Sequence, residues 1–137
     1  QATERIPNEL WLEKEKEYKV PVLYRQSGVK EADIFFISYF NPSLNLDKDK
    51  DFIEGNFTKL YDYLEKNYGV FTTVSDEEIT AMIPTEKLQK ILNISEKIPI
   101  LCRKRLVYDR FGQKIEYNIG YYRADRFSYN INLKREV

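Results

Sequence analysis

The sequence predicts an α+β domain built on an antiparallel sheet of five or six strands with two main helices. Three observations carry this expectation. β-rich runs recur along the chain and are joined mostly by short turn-forming stretches, which suits hairpins. Two other segments carry apolar residues at helical spacing. The 137 residues, 42% hydrophobic and 32% charged, are enough for one buried core and too few for two domains.

Residues 6–18 are rich in Glu and Lys with few apolar positions, and read as a connecting arm that is partly helical. Residues 1–18 are therefore assigned to an entry segment or linker and 19–137 to the folded domain. Residues 20–26 and 33–40 are strands, with Ser27-Gly28-Val29-Lys30-Glu31 as turn material between them. The second strand, Ile34-Phe35-Phe36-Ile37-Ser38-Tyr39-Phe40, is apolar on both faces and is expected to be covered on both. Residues 41–51 combine Asn-Pro-Ser with the run Asp47-Lys48-Asp49-Lys50-Asp51 and read as an exposed, solvated loop.

A helix is expected over residues 58–68, where Phe57, Leu60, Tyr61 and Leu64 follow the i, i+3, i+4, i+7 pattern and Gly69 stands at the stop. Asn56 and Thr58 are the candidate caps. Residues 70–83 read as a strand whose apolar pattern Asp76-Glu77-Glu78 interrupts. A short helix follows over 86–92, opened by Pro84-Thr85, striped by Leu88, Ile91 and Leu92, and stopped at Asn93. Three strands complete the chain at 100–108, 114–123 and 127–134, the first two joined by Asp109-Arg110-Phe111-Gly112-Gln113. The last alternates Tyr129, Ile131 and Leu133 with Ser128, Asn130 and Asn132, the pattern of a half-buried strand.

Composition removes most chemistry. With no histidine there is no Ser-His-Asp or Cys-His arrangement, and catalysis would have to rest on carboxylates, Lys, Tyr or Arg. The single Cys102 excludes an internal disulfide and a Cys/His zinc set, and reads as a small buried hydrophobe. Five glycines, none in phosphate-loop or dinucleotide spacing, argue against a nucleotide site, and no cofactor is expected. Lys plus Arg and Asp plus Glu both total 22, so no general field holds a DNA backbone. No apolar run spans a membrane and residues 1–8 lack signal-peptide features, so a cytoplasmic protein without membrane contact is expected. The 11 Tyr and 8 Phe suit either a core or a pocket of rings with polar tips.

Alternation places Leu101, Arg103, Arg105 and Val107 on one face of their strand, and Glu116, Asn118, Gly120 and Tyr122 on one face of the next. Tyr108 can pair with Lys114 or with Ile115; the second choice sets Arg105 opposite Asn118 and diagonal to Glu116. The resulting polar patch is either the solvent face of a one-sided sheet or the wall of a pocket. Gly120 would leave room for a ligand beside Arg105 and Tyr122, or mark a bulge. Lys59 and Thr58, at the expected first helical turn, form a second candidate, either an anion site at the helix N-terminus or plain exposed surface.

Residues 105–127, with Arg105, Tyr108, Asp109, Gly112, Glu116, Tyr117, Tyr121, Tyr122, Arg123, Asp125, Arg126 and Phe127 in order, resemble the end of the UTRA domain, the effector-binding half of GntR-type regulators of the HutC subfamily. Weaker agreement upstream at Arg25, Leu60, Tyr61, Leu64, Tyr68, Gly69 and Leu92 extends the resemblance over nearly all of the chain from about residue 19. It implies a chorismate-lyase-like fold in which sheet and helices enclose a pocket for a small, often anionic metabolite such as a sugar phosphate. It further implies a homodimer and a winged helix-turn-helix domain N-terminal to this segment, through which alone operator DNA would be bound. That the sequence begins without Met fits the expectation of a fragment. The effector-binding positions carried over are Arg25, Thr58, Lys59, Tyr61, Arg105, Glu116 and Tyr122. Two positions depart from the family pattern: Phe36 stands where many members have Glu, and Lys59 where many have Ser. The expected function is effector sensing by a bacterial transcriptional regulator, a repressor among the candidate roles and not an enzyme. The alternative is a lyase of small aromatic acids, with Arg25 or Arg105 holding a carboxylate and Glu116 as acid or base.

Overall fold

The computed structural model describes residues 2–5, 19–27 and 33–135. Its strands are β1 (Ala2–Arg5), β2 (Lys19–Ser27), β3 (Ile34–Phe40), β4 (Thr72–Met82), β5 (Ile100–Asp109) and β6 (Lys114–Arg123). Its helices are α1 (Lys50–Ile53), α2 (Leu60–Tyr68) and α3 (Glu86–Leu92), and two short 3-10 turns, Pro42–Leu44 and Leu46–Lys48, precede α1. The strands join in one sheet in the order β1-β2-β3-β6-β5-β4, every neighbouring pair antiparallel. The expected α+β architecture forms. The arm expected at residues 6–18 and the turn material at 28–32 lie outside the described residues. Residues 2–5, within the expected entry segment, pair with β2.

Both faces of the sheet are covered at β3, as its doubly apolar sequence requires. Phe40, on one face, packs with Leu46, Phe52, Leu64 and Val70 beneath α1 and α2. Phe35, on the other, packs with Leu88 and Leu92 of α3 and with Ile100. Each such side chain contributes roughly 1.5–3 kcal/mol by leaving water. Cys102 is buried, as expected.

The sequence signals that end helices hold. Gly69 and Asn93 adopt the left-handed conformation that closes α2 and α3, and the Thr85 hydroxyl accepts from the Leu88 amide to cap α3. The start of α2 differs from expectation. Lys59 is its N-cap residue without a side-chain cap bond, and neither Asn56 nor Thr58 serves.

Three further elements correct the sequence reading. Residues 41–51 are not a solvated loop: Leu46 is fully buried, and Asp49 accepts from the Phe52 amide and from the hydroxyls of Tyr63 and Tyr68. A charge run looks solvated from sequence, yet two tyrosines of α2 turn its central carboxylate inward. Strand β4 runs through Asp76-Glu77-Glu78 without interruption, because it is an edge strand whose residues are largely exposed, where charge is tolerated. The expected last strand does not form. Residues 128–135 take no part in the sheet, and Ile131 and Leu133 are 63% and 85% exposed. Strand β6 is flanked on both sides by β3 and β5, so a segment following it finds no hairpin edge to join.

Candidate ligand-binding site

The site begins with a register. Tyr108 pairs with Lys114, but Val107 pairs with Glu116, so Ile115 is an extra residue bulged out of β6. Both pairings left open by the sequence are thus partly right: the loop closes on Lys114, and the bulge restores Arg105 opposite Asn118. From there Arg103 pairs with Gly120, and across β6 Ser38 pairs with Asn118 and Phe36 with Gly120. Since paired residues share a face, Phe36, Ser38, Arg103, Arg105, Glu116 and Asn118 stand on one side of the sheet.

Helix α2 covers that side. The Tyr61 hydroxyl donates to Glu116 Oε1 at 2.5 Å, and with Leu60 it roofs a cavity of about 240 Å³ floored by the six strand residues. The patch is therefore a pocket wall and not a solvent face. Glu116 is 1% exposed. Burial, then the charge and hydrogen bond of Glu116, push the Tyr61 phenol well above its usual range, so it remains a donor. Arg105 reaches Glu77 on β4 through Nε and Nη2, each at 2.6 Å from Oε1. Burial opposes the Arg105 cation, but the hydrogen bond and charge of Glu77 more than reverse this. Arg103 donates to Asn118 Oδ1 at 3.3 Å, and Asn118 donates in turn to Ser38 Oγ at 2.8 Å.

The expected residues divide. Tyr61, Arg105 and Glu116 come together in this cavity. Tyr122 lines a neighbouring cavity of about 110 Å³, its ring edge-on to Phe36 at 5.6 Å. Thr58 and Lys59 are exposed and line a separate outer hollow with Asn56 and Lys66, because α2 begins one residue after Lys59 and presents Leu60 and Tyr61 to the sheet. Arg25 pairs through its backbone with Phe36, and its side chain lies outside what the structure describes. Phe36 itself is a cavity wall. Gly120 leaves no room for a ligand: a Cβ there would meet Tyr122 Cε1 at 2.8 Å and Phe36 Cε1 at 3.0 Å, so two rings already occupy the space.

Ser38, Arg103 and Asn118 line the cavity although none was among the expected effector-binding positions; alternation had placed only Arg103 and Asn118 on the candidate face. The parity shared with Arg105 and Glu116 was the available signal for Arg103 and Asn118. For Ser38 it was a small polar residue within an otherwise apolar strand. Among the described residues no cluster of three or more His, Cys, Asp or Glu is placed to hold a metal. The cavity offers two guanidinium groups, one buried carboxylate, an amide and two hydroxyls, a set able to donate and accept several hydrogen bonds with a small polar molecule.

Fold and site together define a small-molecule-binding domain of a known class. The chain belongs to the UTRA domain family, whose profile matches residues 2–128. A ligand-binding domain assigned to the GntR family of transcriptional regulators from Bordetella bronchiseptica shares the fold with a TM-score of 0.82 at 21% identity, over 96% of this chain and 83% of that one. The effector-binding domain of the Bacillus subtilis trehalose repressor TreR superposes with a TM-score of 0.70 at 18% identity, covering 87% of this chain and 81% of that one. The mannosyl-D-glycerate transport/metabolism system repressor MngR of Escherichia coli K12 is 28% identical over 76 residues, which is 56% of this chain and 32% of that protein's length. The chain thus spans about a third of that relative. Among the described residues no helix is long and apolar enough to cross a membrane.

Proposed function

We propose that this domain senses a small anionic metabolite, such as a sugar phosphate, for a cytoplasmic bacterial transcriptional regulator of the HutC subfamily with a chorismate-lyase-like fold. The observation that carries this reading is the buried Glu116 carboxylate facing Arg103 and Arg105 across one cavity. A carboxylate accepts from ligand hydroxyls, and guanidinium groups hold an anion by charge-assisted hydrogen bonds. Relatives named as repressors of trehalose and mannosyl-glycerate systems support a carbohydrate-like ligand. Tyr122 is assigned a supporting contact from the neighbouring cavity, and Arg25 is kept as an effector-binding position on the family resemblance alone. Thr58 and Lys59, the remaining expected pair, would act only on a ligand long enough to reach the outer hollow.

Regulation requires that the ligand prefer one arrangement of a homodimer carrying winged helix-turn-helix domains N-terminal to this segment. Coupling of about 1–3 kcal/mol is a usual size for such an effect. Isothermal titration with a panel of sugar phosphates tests the assignment. We expect binding by the parent domain and a loss of affinity in both Arg105→Ala and Glu116→Ala. Unchanged affinity in both variants would overturn it. A lyase using Glu116 as acid or base is disfavoured by the regulatory roles of the relatives and by the engagement of that carboxylate with the Tyr61 hydroxyl.

A further inference from the structure

We infer that the cavity beside Tyr122 is a second subsite that receives an apolar substituent of the same ligand, so that the effector is an amphipathic anion: a charged, polar head carrying one ring or short branched alkyl group. The inference rests on the reading of the first cavity as an anion site and adds a requirement that reading lacks.

The two cavities share a wall. Arg103 lines both, with its guanidinium 6.0 Å from the centre of the Phe36 ring on one side and 5.6 Å from that of Tyr122 on the other. Their chemistry differs. The first presents carboxylate, amide and hydroxyl groups; the second, of about 110 Å³, is lined by Ile79, Leu101, Tyr122, Phe127, Ser128 and Tyr129 besides Arg103, so apolar side chains and rings dominate it. The Tyr129 hydroxyl is already engaged, donating to Glu77 Oε2 at 2.5 Å, which leaves the side chains of Arg103, Tyr122 and Ser128 as the polar groups beside a lining that is mostly carbon. Water there finds few polar partners beside the apolar walls, and an unfilled hollow forfeits dispersion contacts of its lining. A ring or alkyl group satisfies both conditions and lies flat against the Arg103 guanidinium, which favours aromatic faces. Arg103 Nε is buried and has no hydrogen-bond partner among the described residues, so one donor of the shared wall is uncommitted where the two halves of such a ligand would join.

The connection between the halves is built in. Glu77 holds Arg105 through Oε1 and Tyr129 through Oε2, so the anion-binding arginine and the roof of the apolar cavity rest on one carboxylate. A ligand filling both cavities would engage both dependants of Glu77 at once.

Nuclear magnetic resonance titration of the domain with inorganic phosphate, phenyl phosphate and benzyl alcohol tests the inference. We expect phenyl phosphate to bind at least about tenfold more tightly than phosphate, the usual scale for burying a ring. Its shifts should reach the amides of Ile79, Leu101 and Phe127 as well as those of Arg105 and Glu116. Leu101→Asn, or Ile79→Gln on the exposed edge strand should Leu101→Asn fold poorly, should abolish the preference while leaving phosphate affinity unchanged. Equal affinities with shifts confined to Arg105 and Glu116 would overturn the subsite and leave the proposed function standing. If neither anion shifts Arg105 or Glu116, the proposed function falls instead. Benzyl alcohol then decides for the cavity alone: absence of shifts at Leu101 and Phe127 rules it out as an apolar subsite.

Discussion

Tyr61 on α2 and Glu116 on β6 meet through a 2.5 Å hydrogen bond, which ties the helix covering the cavity to the buried carboxylate at its base. Removing the hydroxyl leaves a buried anion with one donor fewer. Tyr61→Phe is therefore expected to destabilise the domain by about 1–3 kcal/mol, the usual cost of depriving a buried charged acceptor. Urea denaturation monitored by tyrosine fluorescence measures it, and a change within experimental error would show that Glu116 gains nothing from Tyr61.

Alkaline titration should expose the Asp49 cluster. Burial, then the hydrogen bond and charge of Asp49, push the Tyr63 phenol from its ordinary 10.0 up to about 12, and Tyr68, on the same carboxylate, shifts in the same direction. The native chain thus keeps protons that the unfolded chain releases. The stability this represents is fully present below pH 10 and is lost as pH rises through the folded value. We expect the urea midpoint to fall between about pH 10 and 12, and tyrosinate absorbance to lag behind that of a denatured sample. Asp49→Asn should weaken the lag. A titration identical to that of the unfolded chain would contradict the cluster.

Much of this site was legible because alternation is a geometric constant of strands. Arg103, Arg105, Glu116 and Asn118 fall on one face whatever packs above them. The bulge at Ile115 was not legible, since one inserted residue leaves no compositional mark, and only the bulge reconciles a loop closed on Lys114 with Arg105 opposite Asn118. Alternation also misled at Tyr129, Ile131 and Leu133, because it describes a surface and says nothing of whether a sheet edge is free to accept it. The helix start misled for a related reason. Thr58 and Lys59 resemble a first turn, but the side of α2 that reaches the sheet begins with Leu60 and Tyr61.

Neutralising Glu77 should strengthen anion binding. Glu77→Gln keeps the size of the side chain and removes the charge that holds Arg105, so phosphate affinity is expected to rise by about three- to tenfold, the scale of a part-exposed ion pair. Stability should change by less than about 1 kcal/mol. Calorimetric titration decides the point, and weaker binding in the variant would mean that Glu77 orients Arg105 for the ligand and does not compete with it.

Gly120→Ala is expected to cost about 1–3 kcal/mol through overpacking, because the new methyl would stand 2.8 Å from Tyr122 and 3.0 Å from Phe36. The two rings must part to admit it, which alters the junction between the two cavities. A lowered urea midpoint is the expected result; an unchanged one would show that these rings yield freely.

The carboxylate that holds Arg105 belongs to β4, which pairs only with β5 and ends the sheet among the described residues. Outer strands exchange their amide protons through small, local openings that cost far less than global unfolding. Each such excursion of β4 carries Glu77 away and leaves Arg105 without its counter-charge for the lifetime of the opening. The anion affinity proposed for the cavity would thereby depend on how often the outermost strand lifts, a property that amide exchange reads directly and that no residue lining the cavity controls alone.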